Sequence, residues 1–163
     1  MHKLRRMDKA IAEPSAVKAI LQEAKFITLA LSLNDEPYLA TLSHGFDEEK
    51  NRIYFHCAKE GRKIDVMRAN PHVWGQALVD CGYQQGCCDH LYRTAQFHGN
   101  VSFVNDALEK KHALEVLIRH LDENPDAVIA KQITAASLDR VLIGRIDIDF
   151  LSGKKANKVI VQL

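Results

Sequence analysis

Apolar positions along this chain change period several times, and each change marks a different element. Between Ala16 and Ala24 the residues Val17, Ile20, Leu21 and Ala24 recur at i, i+3, i+4 and i+7, which is one helical face. Pro14 stands where a first helical turn tolerates proline. From Phe26 to Leu33 the chain is rich in β-formers and ends at Asn34-Asp35-Glu36-Pro37, a turn signal; Tyr38 to Ser43 then reads as the returning strand of a hairpin. A polar turn around Asp47–Asn51 leads into a strand over Arg52–Cys57.

A short helix is predicted over Lys63–Ala69, stopped at Asn70-Pro71 because proline disfavours helix in the residue before it. His72–Val79 reads as a strand with Trp74 expected in the core, where tryptophan is usually found. The stretch 80–90 holds two glycines and little periodicity, so a long loop is expected there. Leu91–Val104 reads as a long strand with a bulge at Gly99. Asn105-Asp106 can cap a helix whose apolar stripe ends near Leu121, and a weaker helical piece runs from Pro125 to Lys131. The last strand is predicted over Asp139–Phe150. Hairpin order rather than βαβ order argues for an antiparallel barrel with helical additions, in one domain over residues 1–163.

Composition narrows the class. Apolar residues make up 47% and charged residues 26%, as in ordinary globular proteins, and the formal charge of +1 provides no global field to attract nucleic acid. The N-terminal residues are charged without a following apolar run, and no stretch approaches the roughly 18 residues that span a bilayer. A cytoplasmic protein without a membrane segment is expected, with Cys57, Cys81, Cys87 and Cys88 reduced. Cys81, Cys87, Cys88 and His90 invite a metal reading, but adjacent cysteines point to opposite sides of an extended chain and no C-x-x-C is present, so no metal site is assigned.

Candidate chemistry centres on Gly61-Arg62-Lys63. A helix start offers unpaired N–H groups and partial positive charge, and a guanidinium with an ammonium beside it makes a local phosphate site in a nearly neutral protein. A solvated pair of surface cations is the competing reading; what favours a site is its position after a strand ending in His56-Cys57.

Beyond that motif, Tyr54–Asp65 followed by Asn70-Pro71-His72-Val73 resembles the FMN-binding split-barrel proteins of the pyridoxamine-phosphate-oxidase-like superfamily, and is most like the branch with the nitroimidazole-resistance proteins. Arg5–Lys9, Glu36–Asp47, Leu91–Gly99 and Val141–Ile148 with Ser152-Gly153-Lys154 extend the resemblance over roughly residues 4–155. It implies a mainly β fold, a six-stranded antiparallel split β-barrel with peripheral helices, and a homodimer with FMN at the subunit interface. It implies that Arg62 and Lys63 hold the FMN phosphate, with Gly61 where the oxidases often carry serine. His56 and Cys57 would lie along the ribityl-phosphate, and Thr94 would meet the flavin from a neighbouring strand. Thr41, Leu42, Ser43 and His44 would run beside the ring, His44 being the candidate proton donor.

The oxidases' C-terminal substrate-binding arginine and histidine are not found here, which argues against pyridoxamine-phosphate oxidation. The resemblance therefore implies an FMN-dependent oxidoreductase acting on a small nitro or quinone-like molecule. Electrons would come from a nicotinamide donor or a partner reductase; no Gly-x-Gly-x-x-Gly fingerprint is found, so no separate nicotinamide domain is expected in this sequence. A non-catalytic flavin carrier or sensor is the first alternative. A haem split-barrel protein using His44, His56, His90 or His98 is the second.

Overall fold

The computed structural model describes residues 5–156 together with 158 and 159; the sequence reading of Met1–Leu4 and of Asn157 lies outside them. The long strands are β2 (Phe26–Leu33), β3 (Glu36–Ser43), β5 (Arg52–Cys57), β6 (His72–Gln84), β7 (Asp89–Val104) and β8 (Leu142–Lys155). The six expected strands are thus present, and two short ones bring the described total to eight. They are β1 (Ala10–Ile11), paired to the end of β8, and β4 (Gly45–Asp47), which continues β3 beyond His44. All pairings are antiparallel, in the order β3-β2-β6-β7-β8-β5-β4, so β3 forms one edge and comes near β5 across the seam of a split barrel.

Alternation places one face of each strand inside. Ile27, Leu29 and Leu31 of β2 face Val73 and Ala77 of β6, Ala95 and Phe97 of β7, and Ile146 of β8. Helix α1 (Pro14–Glu23) adds Val17, Ile20 and Leu21 to this core. Two rings lie flat over missing side chains: a Cβ at Gly75 would stand 2.1 Å from Phe97 Cζ, and one at Gly144 2.1 Å from Phe55 Cζ. Gly75 pairs with Phe97 and Gly144 with Phe55, so each glycine makes room for its cross-strand partner.

Helix α3 (Ala107–Leu121) begins at Asp106, whose side chain accepts from the Glu109 N–H. Its Ala113 and Leu117 pack with Tyr54, Val104 and Ile143 in a second core. Gly45 permits the approach, since a Cβ there would lie 2.9 Å from Leu117 Cα. Glu109 accepts from Arg145 Nη1 at 3.0 Å and from the Tyr54 hydroxyl at 3.2 Å, while Arg52 Nε donates to Asp147 at 2.7 Å, tying α3 to β5 and β8.

Two sequence expectations are corrected. Residues 80–90 are no long loop: β6 and β7 continue as a hairpin to the Gln84–Asp89 pair, with a register shift between Asp80 and Tyr83. Gly82 and Gly86 take positive φ and absorb the irregularity that hid the periodicity. The final strand starts at Leu142 rather than Asp139, because Thr134 and Ser137 form a reciprocal cap that opens α5 (Ala135–Arg140). The bulge expected at Gly99 coincides with a register shift between His98 and Gly99.

Candidate functional site

Strand β5 delivers the chain at Cys57, and four residues separate it from the start of helix α2 (Arg62–Ala69). Gly61 is its N-cap at φ +129, a backbone state that favours glycine, and nothing lies within 4 Å of a Cβ built there. The Gly61 carbonyl accepts from the N–H groups of Ile64 at 2.8 Å and Asp65 at 3.2 Å. No side chain caps this end, so the first-turn N–H groups of Arg62 and Lys63 face outward from an open helix start. The geometry is that of an anion cradle whose approach is kept clear by the missing glycine side chain.

The two cations do different things. Arg62 Nη2 donates to Glu36 Oε1 at 2.7 Å, and its guanidinium lies 4.8 Å over the Tyr38 ring. Together with Asn34, Leu33 and Asp65 these side chains line a cleft of about 200 Å³ between α2 and the β2–β3 turn. Lys63 adds positive charge in the neighbourhood of Cys57. Burial pushes that thiol up, and the positive charges of Lys63 and Arg68 partly offset the effect. Cys57 Sγ is half-buried and reaches the Leu142 carbonyl at 3.9 Å, whereas its neighbour His56 is exposed.

Strand parity divides the run from Thr41 to His44. Thr41 is exposed and its hydroxyl lies 3.1 Å from that of Thr28, while Ser43 on the same face is half-buried. Leu42 and His44 point the other way, into the core, so of the expected backbone or side-chain contacts of this run to a ring, these two residues have only their backbone to offer. His44 is 0% exposed; its Nε2–H donates to the Leu21 carbonyl at 2.9 Å, and its ring packs 4.7 Å from that of His120. Burial, then the neighbouring His120, lower its pKa to about 4. A neutral imidazole closed off from solvent does not meet a substrate, so His44 is removed as a proton donor.

Thr94 is also inward and 7% exposed, its hydroxyl donating to the Lys154 carbonyl at 3.4 Å. The structure does not bring it to Arg62 within one chain. Leu33 beside Arg62 and Ile27, at the level of Ala77 and therefore near the Leu78–Thr94 pair, are six residues apart on β2, about 20 Å along the strand. Trp74 is corrected from core to surface: it is 42% exposed on the outer face with Phe26, Leu39 and Leu78. Trp74, Leu39, Thr28, Gln76 and Gln96 line an open hollow of about 350 Å³ there.

Cys81, Cys87 and Cys88 are exposed on the β6–β7 hairpin, and His90 donates to Asp80 at 2.8 Å. Among the described residues no three histidine, cysteine or acidic side chains gather as a metal site.

Sequence reasoning missed two groupings. Glu36 was read only as a turn residue and Tyr38 only as a strand residue, although their place at the start of β3 brings them to Arg62. His98 Nδ1 donates to Asp149 Oδ1 at 2.7 Å, with Trp74 and Phe150 beside it; only the pairing of β7 with β8 brings these together, and no local pattern announces it.

The sequence profile of a family described as pyridoxamine 5'-phosphate oxidase matches residues 13–155. No curated protein sequence matches the chain. Among solved structures, a candidate 5-nitroimidazole antibiotic resistance protein from Bacteroides thetaiotaomicron superposes with a TM-score of 0.75 at 23% identity, over 90% of this chain and 86% of the other. The flavocytochrome Anf3 from Azotobacter vinelandii gives 0.78 at 18% identity, over 95% and 72%. An FAD-binding protein from Mesorhizobium loti gives 0.66 at 23% identity, over 91% and 97%.

Proposed function

The chain belongs to the pyridoxamine 5'-phosphate oxidase family, and from that membership we propose that it binds FMN and works as an FMN-dependent oxidoreductase on a small nitro or quinone-like molecule. The observation that carries the reading is the open start of α2, where Gly61 leaves clear space and Arg62 and Lys63 supply the two cations. A flavin phosphate fits this cradle: backbone N–H groups and the helix dipole receive its oxygens, with Arg62 as a planar fork and Lys63 as a point charge. Thr41 and Ser43, on the outward parity of edge strand β3, offer hydroxyls toward a ring. Bound flavin would supply the two-electron chemistry, with a nicotinamide or partner reductase as the donor. The chain's own part is to hold the phosphate, orient the ring and exclude water. Structural relatives whose names record FAD binding agree with a flavin as the ligand class.

The proposed working unit is a homodimer with the site between subunits. Four large apolar residues stand open on the outer face, Phe26 at 59%, Leu39 at 67%, Trp74 at 42% and Leu78 at 52% exposure. A second copy would cover them, and would also bring its Thr94 end toward the Arg62 end of the first chain.

Titration of the purified protein with FMN, followed by flavin fluorescence, tests the reading. Tight binding that falls at least tenfold in Arg62→Ala/Lys63→Ala is expected; binding unchanged by that double substitution refutes the phosphate assignment. Anaerobic mixing of the complex with a nicotinamide, then with a nitro compound, separates an enzyme from a carrier. A second reading, haem binding through His98, is favoured by the Asp149 carboxylate on Nδ1, a usual partner of a metal-binding imidazole. Relatives described as a flavocytochrome and an FAD- and haem-binding protein share the fold. A Soret band after haem addition, abolished by His98→Ala, would establish it.

A further inference from the structure

The folded chain already holds an anion on Arg62. The Glu36 carboxylate stands 2.7 Å from Nη2, and the guanidinium is laid over Tyr38, so one edge of the fork that a phosphate would use is occupied. Asp65, in the first turn of α2, lines the same cleft. Arg62 and Lys63 contribute two positive charges and Glu36 and Asp65 two negative ones, which leaves a formally neutral surround for a dianionic ligand. Glu36, Asp65 and Arg62 line the cleft together, so that wall carries two carboxylates against one guanidinium.

We propose that Glu36 is a specificity-determining competitor for Arg62: an internal carboxylate that a ligand phosphate must displace, and that weakens binding in proportion to the ligand's negative charge. This rests on the flavin-phosphate reading of the site and deepens it. Glu36 and Arg62 are both exposed, with side-chain accessibilities of 72% and 60%, so exchange of one anion for another needs no rearrangement of the core. Tyr38 keeps the guanidinium plane at the cleft when the carboxylate leaves, since stacking on a ring does not depend on Glu36. The competitor acts on phosphate, not on the ring system, so it separates FMN from riboflavin rather than one ring substituent from another.

The test measures affinity for FMN and riboflavin by flavin fluorescence at low ionic strength, for the unmodified chain, Glu36→Gln, Arg62→Ala and the double variant. Glu36→Gln is expected to tighten FMN binding roughly two- to fivefold, the range an exposed ion pair carries, and to leave riboflavin within experimental error. In the Arg62→Ala background the same substitution is expected to have a smaller effect, because the competition runs through the guanidinium. Weaker or unchanged FMN binding in Glu36→Gln overturns the proposal, the former showing that Glu36 positions Arg62. An equal gain for riboflavin also overturns it. If neither flavin binds any variant, the flavin reading itself fails and the competitor falls with it. If FMN binds and Glu36→Gln is silent, only the competitor falls.

Discussion

Replacing His44 with glutamine removes a titrating group from the deepest polar position in the fold, and the consequence is readable as a change in acid stability. His44 is fully buried and hydrogen-bonded to the Leu21 carbonyl, with its pKa lowered from 6.5 to about 4 first by burial and then by His120, and Lys25 also contributing. The folded-state pKa lies below the unfolded one. The stabilisation is therefore complete above about pH 6.5 and is lost as pH falls toward 4, because the unfolded chain takes up a proton that the folded chain refuses. At 1.36 kcal/mol per unit, the loss reaches about 2 kcal/mol by pH 5 and about 3 kcal/mol by pH 4. That is a large part of the 5–15 kcal/mol that typically holds a domain together. Urea unfolding between pH 7.5 and 4.5 measures it. The His44→Gln variant will be less stable at pH 7, having changed a buried contact, but its stability should fall less steeply with acid. Some slope will persist from His120, whose pKa is also lowered by burial. Parallel pH profiles for the two proteins would refute the argument.

Three further outcomes follow from positions described above. Gly61→Ala should destabilise by about 1–2 kcal/mol through its positive φ alone, as no atom crowds the new methyl; a melting temperature equal to the parent's would show that α2 starts differently. Gly75→Ala should cost about 1–3 kcal/mol by driving a methyl into Phe97, and Phe97→Leu in the same chain should recover part of it, both read from urea midpoints. With an aromatic disulfide reagent near neutral pH, Cys81, Cys87 and Cys88 should react quickly and Cys57 slowly, because Cys57 is half-buried and its thiol is pushed up by that burial. Four equally fast thiols would contradict the environment described for Cys57.

The elements that local chemistry specifies were legible before the fold was known. The Asp106 cap and the Pro71 stop each depend on a few adjacent residues and stand where the pattern placed them, whereas the turn expected over Asn34–Pro37 is tighter: only Asn34 and Asp35 lie between the strands, and Glu36 and Pro37 already pair with Leu33 and Ser32. Gly61-Arg62-Lys63 was legible for the same reason, since a glycine N-cap and first-turn cations are neighbours in sequence. Properties set by the far side of a strand were not. Val73, Gly75 and Ala77 are buried and fix Trp74 on the opposite, open face, but a lone tryptophan among apolar residues reads as core until its neighbours' parity is followed. The same parity puts Leu42 and His44 inside and Thr41 and Ser43 outside. The Thr134–Ser137 cap uses a serine where glutamate or glutamine is the familiar sign, so α5 was not read and its last two residues, Asp139 and Arg140, were given to the strand after it. The Glu36–Arg62 contact joins residues 26 apart, and only the closing of the barrel brings them together.

Trp74 is the chain's one tryptophan, and its place on the open face gives the protein an optical probe at an informative position. Its emission reports on the outer sheet alone, because no second indole in the core dilutes the signal. Covering that face with another copy should shift the emission to the blue, as water is removed from the ring. A flavin nearby would quench it by energy transfer. Concentration-dependent spectra and ligand-dependent quenching can therefore be followed in one cuvette, without a label and without altering a residue.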